Sequence, residues 1–516
     1  MHMKKYGLAL LVALALTATM PVAIGAQVCA QQELINLTLT EAADRIRAGE
    51  LSSEQLVSEL LQRAEMGNYL NAYITLDGEG ALQAARQADE RTGDKEQTGP
   101  LHGVPFVVKD NIEVAGLPNT AGTPALSDNI AAANAPVVQA LVAAGAVVLG
   151  KTNMHELALG ITSDNAAFGA VRNPYNPLLF AGGSSGGTAA AIAARMAPAG
   201  LGTDTGGSMR IPAALTGIVG FRPTKGRYPA DDVTPISPTR DTPGPMARSV
   251  ADIVLLDGII TDSATTREAA DLSSLRLGVP QTYFHDNLDP HVEARMKQVR
   301  EALAEAGVEF VEADLEDIAE LNSKVAFPVV LHEVIRALPE YLQRTDLDLT
   351  AVIEQIASPD VRAIMQEAVG PDGQAGTDDD AISGEDYRQA IDEFRPALQK
   401  LYADYFEEHD VDAIIFPTTP LPARPIEGSL ESVLLNGEQV PTFPTYIRNM
   451  DPDSNAGIPG LTLPVGLTPA GLPIGLEIDG PAGSDGRLLS IGLALEELLP
   501  DTPAPVLSAA ENADCR

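Results

Sequence analysis

Serines set in two glycine-rich segments, together with one lysine at the end of an apolar run, are the residues of this chain best suited to chemistry. The segments read GGSSGG over 182–187 and GTDTGGS over 202–208, and Lys109 ends the run VPFVVK. Apolar surroundings disfavour the charged ammonium, so a lysine there can be a neutral amine. A neutral lysine can deprotonate one serine through another, which supplies a nucleophile and a base without histidine.

The segment around Ser208 has the composition of an oxyanion hole. Gly206 and Gly207 allow unusual backbone angles, so that neighbouring N–H groups can converge on one small volume beside the serine. The N–H groups of Thr205, Gly206, Gly207 and Ser208 are therefore predicted to hold an oxygen that develops negative charge.

The upstream segment offers two further hydroxyls, on Ser184 and Ser185. The glycines on either side permit a sharp turn and allow a cis peptide bond at Gly183–Ser184, which would aim a hydroxyl inward. We expect this segment to supply the serine that passes a proton from the nucleophile to Lys109.

Each of these signals has a simpler interpretation when taken alone. A GGSSGG segment is more often a flexible turn or an anion cradle at a helix start, and a lysine in a strand is usually paired or reaches solvent. The occurrence of all three segments in this order and spacing favours the catalytic interpretation.

A serine hydrolase with a histidine base is the main chemical alternative, because GGSSG also matches the pattern G-x-S-x-G. The histidines that could then serve Ser184 or Ser185 are His285, His291, His332 and His409. None of them lies in a glycine-bounded loop, and this alternative leaves GTDTGGS unexplained. His102 and His155 are interpreted as packing or pocket-lining residues.

The elements that must position these residues alternate between strands and helices. Strands are predicted for 104–109, 146–151 and 198–204, with helices over 135–145 and 189–196 between them. A second strand–helix–strand unit follows over 275–315. This alternation predicts an α/β fold with a mixed, twisted central sheet that is covered by helices on both faces.

The remaining chain is assigned to one domain over 33–510. Helices fill 33–90, where Thr40 and Glu41 predict the first helix start and Ser52 or Ser53 the second. The catalytic core spans 100–260, and a helical lobe with an exposed acidic insertion spans about 325–410. Residues 411–500 return to the sheet and include a late hairpin near 461–480. We predict that the helical lobe and the loop 446–458 form the substrate pocket.

Charge and composition exclude several classes of function. The chain has 34 Lys and Arg against 71 Asp and Glu, a formal net charge of −37, which repels the phosphates of nucleic acids. The seven histidines are scattered, and no phosphate-binding G-K-[ST] or zinc-binding H-E-x-x-H motif occurs. We therefore predict no metal, no cofactor and no nucleic-acid partner.

The first 26 residues have the pattern of an export signal. Lys4 and Lys5 precede an apolar run, and small residues follow it around Ala26. Pro21 interrupts a stretch that is barely long enough to span a membrane, so stable insertion is not expected. We predict a periplasmic or extracellular protein. The two cysteines, Cys29 and Cys515, define no disulfide framework, and a homodimer is left open.

With their spacing of 75 and 24 residues, the segments FVVKDN, GGSSGG and GTDTGGS closely resemble the amidase signature family, over essentially all of the chain after residue 26. The resemblance implies that Ser208 is the nucleophile, Ser184 the relaying cis-serine and Lys109 the base. It assigns the oxyanion hole to the amides of Thr205, Gly206 and Gly207. It also implies supporting structural roles for three further residues: Asp204 and Arg210, as a buried ion pair, and Ser185.

Within this family the chain is most similar to the bacterial mandelamide and indoleacetamide hydrolases, for example in TGIVGFRPTKGRYP and FPTYIRNMDPDSNAGIPGLTLPVGL. The resemblance implies hydrolysis of a small, aryl-substituted primary amide to a carboxylate and ammonia. Esters, anilides or carbamates are alternative substrates for the same triad, and a non-catalytic exported amide-binding protein is the alternative from another class. The amidase subunit of the tRNA-dependent glutamine amidotransferase is disfavoured by the export signal, the acidic charge and the residues IPAA after the nucleophile segment.

Overall fold

A mixed sheet runs through the residues that the computed structural model describes, which are 32–93, 98–500 and 502–507. In chain order the strands are β1 Tyr73–Leu76, β2 Pro105–Lys109, β3 Val147–Thr152, β4 Arg172–Asn173, β5 Asn176–Phe180, β6 Ala199–Asp204, β7 Val219–Arg222, β8 Thr242–Ala247, β9 Arg276–Gly278, β10 Glu309–Val311, β11 Ala413–Pro417, β12 Ser432–Leu435, β13 Glu438–Pro441, β14 Gly460–Leu467 and β15 Pro473–Asp479.

Eleven of these strands form the central sheet in the order β1-β3-β2-β6-β8-β7-β14-β15-β11-β9-β10. Strand β2 is parallel to β3 and β6, and β9 is parallel to β10 and β11, while the other neighbours are antiparallel. The predicted mixed sheet is thereby confirmed, as is the late hairpin, which is β14 paired with β15. The pairs β4–β5 and β12–β13 are separate hairpins.

Helices surround the sheet along the whole described chain. They are α1 Leu39–Arg47, α2 Ser53–Met66, α3 Gly78–Asp89, α4 Pro136–Ala143, α5 Gly186–Ala193, α6 Arg210–Thr216, α7 Val250–Ile260, α8 Pro290–Glu305, α9 Ile318–Leu342, α10 Leu349–Gln355, α11 Pro359–Val369, α12 Gly384–Gln389, α13 Arg395–His409, α14 Thr442–Ile447, α15 Asp451–Ala456 and α16 Asp485–Leu498. Short 3₁₀ turns occur at Asn68–Leu70, Pro124–Leu126, Glu156–Ala158 and Leu272–Ser274, and a π-helical turn, Ala390–Phe394, joins α12 to α13.

Two details of the N-terminal region differ from the sequence-based expectation. The segment YITL forms the edge strand β1 between α2 and α3, because β-branched and aromatic residues favour an extended backbone. Helix α1 is capped by Thr38, not Thr40: the Thr38 hydroxyl accepts from the N–H of Glu41, and the Glu41 carboxylate accepts from the N–H of Thr38. For α2, the cap is Ser52.

The alternation of side chains along β11 shows that both faces of the sheet are covered. Ala413 and Ile415 belong to one large apolar cluster, which includes residues of α7, α8 and α16. Ile414 and Phe416 point to the opposite face, into a second cluster with residues of α13. Since successive residues of a strand face opposite sides, the central sheet is buried between two helical layers.

The helices α9 to α13 form the predicted helical lobe. The apolar side chains of α9, α10 and α11 form a third cluster with Ala121, Leu126, Met154 and Leu157 of the core. This packing places the lobe against the segments that follow β2 and β3. Residues 370–383 contain most of the acidic insertion and are largely exposed, although Asp380 is buried and pairs with Arg336 at 2.7 Å.

The export signal predicted over residues 1–26 lies outside the described residues, as do Cys29 and Cys515, so export stays a prediction. In the described ranges, no helix has both the length and the apolar character needed to cross a bilayer.

Candidate active site

The end of β2 places Lys109 beside the glycine-rich segment that contains Ser208. Strand β2 runs parallel to β6, with Val107 opposite Gly200 and Val108 opposite Leu201. The carboxyl ends of parallel strands meet at one edge of a sheet, where α/β proteins commonly bind ligands. Lys109 ends β2 and Asp204 ends β6, so the chain turns from β6 toward Ser208 next to the lysine.

The amine of Lys109 is completely buried and hydrogen-bonded to two hydroxyls. Its Nζ lies 2.7 Å from Oγ of Ser184 and 2.7 Å from Oγ1 of Thr203. The same Thr203 oxygen accepts a hydrogen bond from the side-chain amide of Asn111 at 3.1 Å. Thr203 and Asn111 therefore fix the position of the amine. Neither residue was singled out from the sequence, although both lie within the segments KDN and GTDTGG.

Burial lowers the pKa of Lys109 to about 7, although the negative charges of Asp204 and Asp241 act in the opposite direction. A lysine with this pKa is a neutral amine in a large fraction of molecules at neutral pH. The group can then accept a proton from the neighbouring Ser184 hydroxyl.

The loop of Ser184 is held from the segment after β3. The Gly183–Ser184 peptide bond is cis, the geometry that the flanking glycines allow. The carbonyl of Ser184 accepts hydrogen bonds from the N–H of His155 at 3.1 Å and from the hydroxyl of Ser163 at 3.3 Å. The Ser163 hydroxyl also accepts from the N–H of Gly186 at 3.1 Å. These contacts fix the backbone from which the Ser184 side chain reaches Lys109.

Ser185 joins the two glycine-rich segments. Its N–H donates to the carbonyl of Ser208 at 3.0 Å, and its hydroxyl donates to the carbonyl of Thr203 at 3.1 Å. Its side chain is buried. The two adjacent hydroxyls thus have separate roles: that of Ser184 contacts the amine of Lys109, whereas that of Ser185 contacts the backbone.

The segment Thr205–Ser208 faces a cavity, but its glycines differ in role. Gly206 and Ser208 line the cavity together with Thr205. Gly207 has φ +113°, which favours glycine, and a Cβ there would approach Met450 to 2.5 Å. Its N–H donates to Oδ1 of Asp204 at 2.7 Å. The prediction that Gly207 contributes to the oxyanion hole is therefore not supported in this structure, because its donor is already used.

Asp204 and Arg210 form a buried ion pair beneath this segment, with Nε of Arg210 at 3.2 Å from Oδ2 of Asp204. Arg222 contacts Oδ1 of Asp204 at 3.1 Å, and the N–H of Met209 donates to Oδ2 at 3.1 Å. Burial alone would raise the pKa of Asp204, but Arg210 and Arg222 outweigh it and hold that pKa well below its usual range. Arg210 also contacts Asp453 at 2.6 Å.

The hydroxyls of Ser184 and Ser208 are not hydrogen-bonded to each other in the described residues. Ser208 is 8% exposed and lines the cavity, whereas Ser184 is fully buried beside Lys109. Catalytic hydrogen bonds are often long before the substrate is bound. The structure thus brings Lys109 to Ser184, and it ties the Ser184 and Ser208 loops together through the bond from Ser185.

The cavity in front of Ser208 is almost entirely apolar and encloses about 90 Å³. Its concave, apolar character suits a small organic ligand. The apolar wall comes mainly from α9 and α11, as predicted for the helical lobe, and from α14, with the residues Ala326, Phe327, Val330, Leu331, Ile364, Phe443 and Ile447. The predicted loop 446–458 contributes Ile447 and Asp451 to the lining. Residues 158–161, Ile236 and Arg240 also line the cavity, although the sequence did not predict them there.

Helix α11, which carries Ile364, is anchored directly to the core. The buried carboxylate of Glu156 accepts hydrogen bonds from the N–H groups of Ala357 and Ser358 at the start of this helix, at 3.1 and 2.7 Å. A carboxylate at this position also interacts favourably with the helix dipole. His155 contacts Asp360 on the same helix, with Nε2 at 3.0 Å from Oδ2. Pattern analysis of the sequence offered no signal for these contacts.

The histidine-based alternative finds no support in the described part of the chain. None of His285, His291, His332 and His409 hydrogen-bonds to Ser184, Ser185 or Ser208. The ring of His332 stacks on Tyr387 at 4.0 Å, and that of His409 packs against Tyr405 at 4.8 Å. His285 lines a different cavity.

Comparison with known sequences assigns the chain to a family. Residues 55–489 match the profile of the family described as Amidase. The chain belongs to the amidase family. It is therefore an enzyme that hydrolyses amides, the activity by which this family and its named members are described.

Individual relatives in the amidase family are similar over nearly their whole length. An indoleacetamide hydrolase of Agrobacterium vitis is 46% identical over 464 residues, which cover 90% of this chain and 97% of the relative. A mandelamide hydrolase of Pseudomonas putida is 44% identical over 493 residues, covering 93% and 95%. The similarity to these two groups within the amidase family, predicted from short stretches, is confirmed.

Solved structures of amidases share the fold. The crystal structure of an amidase matches with a TM-score of 0.79 at 34% identity, covering 90% of this chain and all of the other. The peptide amidase of Stenotrophomonas maltophilia matches with a TM-score of 0.75 at 29% identity, covering 92% and 99%. The predicted α/β amidase fold is thereby confirmed.

Proposed function

We propose that this protein hydrolyses neutral, aryl-substituted primary amides to a carboxylate and ammonia, with Ser208 as nucleophile, Ser184 as relay and Lys109 as base. The observation that carries the proposal is the 2.7 Å contact between the buried Lys109 amine and the Ser184 hydroxyl, next to an apolar cavity lined by Ser208. The compounds after which these relatives are named, indoleacetamide and mandelamide, both join an aromatic ring to a primary amide.

The first half of the reaction transfers the acyl group to the protein. Neutral Lys109 accepts the proton of Ser184 as Ser184 accepts the proton of Ser208, and Oγ of Ser208 bonds to the carbonyl carbon. The negative charge on the carbonyl oxygen is stabilised by backbone N–H groups of the Thr205–Ser208 segment, with Gly206 and Ser208 as the cavity-lining candidates. The C–N bond then breaks, and the nitrogen leaves as ammonia with a proton returned through Ser184.

The second half releases the acid. A water molecule takes the position of the leaving nitrogen and gives its proton to Ser184, and the resulting hydroxide attacks the acyl carbon. Oγ of Ser208 leaves and recovers its proton, so the protein returns to its initial state. The same steps would cleave esters, anilides or carbamates, which also present an acyl carbon and a leaving heteroatom.

Ammonia release from a panel of primary amides tests the proposed substrate class. We expect kcat/KM for phenylacetamide, mandelamide and indoleacetamide to exceed that for acetamide and propionamide by about 30-fold or more, because an aromatic ring buries apolar surface in the cavity. Matched anilides, esters and carbamates are assayed beside them. The Lys109→Met variant, purified identically, controls for host amidases. Turnover of only esters, anilides or carbamates would overturn the primary-amide assignment, and no turnover at all would favour an amide-binding protein.

The pH dependence of the rate tests the lysine base. Because protonated Lys109 cannot accept a proton from Ser184, and its pKa is about 7, kcat is expected to rise with pH through about 7 and then level off. Well below pH 7 it should fall about tenfold for each pH unit. The measurement is kcat for one saturating amide between pH 5 and 9. An optimum below pH 6 would contradict a neutral-lysine base.

A further inference from the structure

One ion pair interrupts the otherwise apolar cavity. Nη2 of Arg240 lies 2.5 Å from Oδ1 of Asp451, and both residues are largely buried and line the cavity. The other polar side chains among its described lining residues are Ser208, the proposed nucleophile, and Thr205, whose hydroxyl donates to Asp241 at 2.5 Å. Arg240 and Asp451 are therefore the polar lining residues that have no assigned function, either in the proposed chemistry or in the structure of the nucleophile segment.

The protein does not use the full hydrogen-bonding capacity of the Asp451 carboxylate. Oδ1 accepts from Arg240, and Oδ2 accepts from the side-chain amide of Asn322 at 3.0 Å. Each carboxylate oxygen can accept two hydrogen bonds, so further acceptor sites remain. In contrast, the guanidinium of Arg240 is held by the carbonyls of Thr205 and Ala326 at 3.1 and 3.2 Å.

The carboxylate lies at the end of the cavity that contains the nucleophile segment. A Cβ placed on Gly206 would be 3.1 Å from Oδ1 of Asp451, and Gly206 precedes Ser208 by two residues. An acyl group bound to Ser208 would therefore place the atoms near its carbonyl carbon within reach of Asp451. Its apolar part would lie along the wall formed by α9 and α11.

The charges of the pair cancel, and this limits what the cavity accepts. Arg240 and Asp451 together contribute no net charge, so they offer no counter-ion for an acyl group that is itself charged. What they do offer is an acceptor of high strength, because hydrogen bonds to ionised groups are stronger than those between neutral groups. The cavity thus combines neutrality, an apolar wall and one strong acceptor.

We propose that Asp451 determines specificity by accepting a hydrogen bond from an O–H or N–H group in the acyl part of the substrate. This inference rests on the proposed function and adds a residue and a substrate feature to it. A hydroxyl on the carbon next to the carbonyl and a ring N–H are the two sources of such a donor. A substrate without the donor displaces water from the carboxylate and does not replace its hydrogen bond, which lowers its relative kcat/KM.

Two pairs of substrates isolate the donor. Mandelamide differs from phenylacetamide by the hydroxyl, and indole-3-acetamide differs from 1-benzothiophene-3-acetamide by the ring N–H. With the wild-type protein, we expect kcat/KM to favour the donor-bearing member of one pair by about tenfold or more. The pair that shows the preference identifies the source of the donor. Ratios near one in both pairs would overturn the proposal, yet turnover of these amides would still support the proposed function.

Variants then assign the preference to Asp451. In Asp451→Asn, which keeps the shape but loses the charge, the preference is expected to fall to about threefold or less. Asp451→Glu keeps the charge opposite Arg240 but moves the carboxylate, and we expect it to lower the ratio as well, even where Asp451→Asn is poorly folded. Ile364→Ala is the matched control. Because it removes part of the apolar wall, it should lower kcat/KM for both members of each pair by about the same factor. If the kcat/KM ratio of the substrates keeps its wild-type value in both Asp451 variants, the Arg240–Asp451 ion pair is purely structural and the proposal is overturned.

Discussion

Replacement of Ser208 by alanine is expected to lower kcat for every amide by at least about 10⁴-fold, because the other hydroxyl among the described lining residues, that of Thr205, already donates to Asp241. Ser184 cannot substitute, since it is fully buried and hydrogen-bonded to Lys109. The variant should fold normally, because Ser208 contacts Ser185 through its backbone carbonyl, which alanine retains. The measurement is steady-state ammonia release, accompanied by circular dichroism spectra of both proteins.

The neighbouring serines provide matched controls for this prediction. We expect the loss of activity to decrease in the order Ser208→Ala, Ser184→Ala and Ser185→Ala, because the Ser185 hydroxyl hydrogen-bonds to backbone groups of Thr203 and not to a reacting group. Acid quenching during turnover should reveal a mass increase equal to the acyl group on the peptide that contains Ser208. Substantial activity in Ser208→Ala, or an acyl group on Ser184 or Ser185, would contradict the assignment of the nucleophile.

Replacement of Asp204 by asparagine is expected to lower the free energy of unfolding by about 3–5 kcal/mol, because it leaves buried positive charge insufficiently compensated. Asp204 is fully buried and accepts from Arg210 and Arg222 as well as from two backbone N–H groups. An asparagine would direct N–H groups toward some of these donors. The measurement is urea unfolding at pH 7.5, followed by circular dichroism.

The control for Asp204 is an ion pair on the surface. Glu33 contacts Arg45 at 2.9 Å, and the Glu33 side chain is 63% exposed. The change in unfolding free energy for Glu33→Gln should be less than about 1 kcal/mol, because water screens exposed charges. If Asp204→Asn were as mild as Glu33→Gln, the ion pair beneath the nucleophile segment would not be the support that we infer.

The sequence contained enough information to predict the position of Lys109 beside Ser184, because local motifs and parallel strands determine it. It did not reveal strand β8, which pairs with β6 along its whole length. The segment TPGPMA has two prolines, which are rare in central strands. Pairing of β8 with β7 is restricted to Met246 and Ala247, beyond the prolines, which explains how they are tolerated.

Contacts between segments that are distant in the chain were the least predictable part of the site. The pairing of Arg240 with Asp451 joins residues that are 211 positions apart, and Glu156 meets the start of α11 across about 200 residues. No local pattern specifies such partners, because they depend on how whole elements pack. Likewise, only the three-dimensional structure shows that the N–H of Gly207 already donates a hydrogen bond to Asp204.

The attachment of α11 through Glu156 has a consequence for how new activities could arise in this protein. The bond-breaking groups lie between Lys109 and Ser208, whereas most of the wall lies between Ala326 and Ile447. Mutations in the wall can therefore accumulate without disturbing the reactive groups, provided that the Glu156 contacts at Ala357 and Ser358 persist. Libraries that vary the wall and leave these anchor points unchanged should yield enzymes that differ in acyl group but retain a common chemistry.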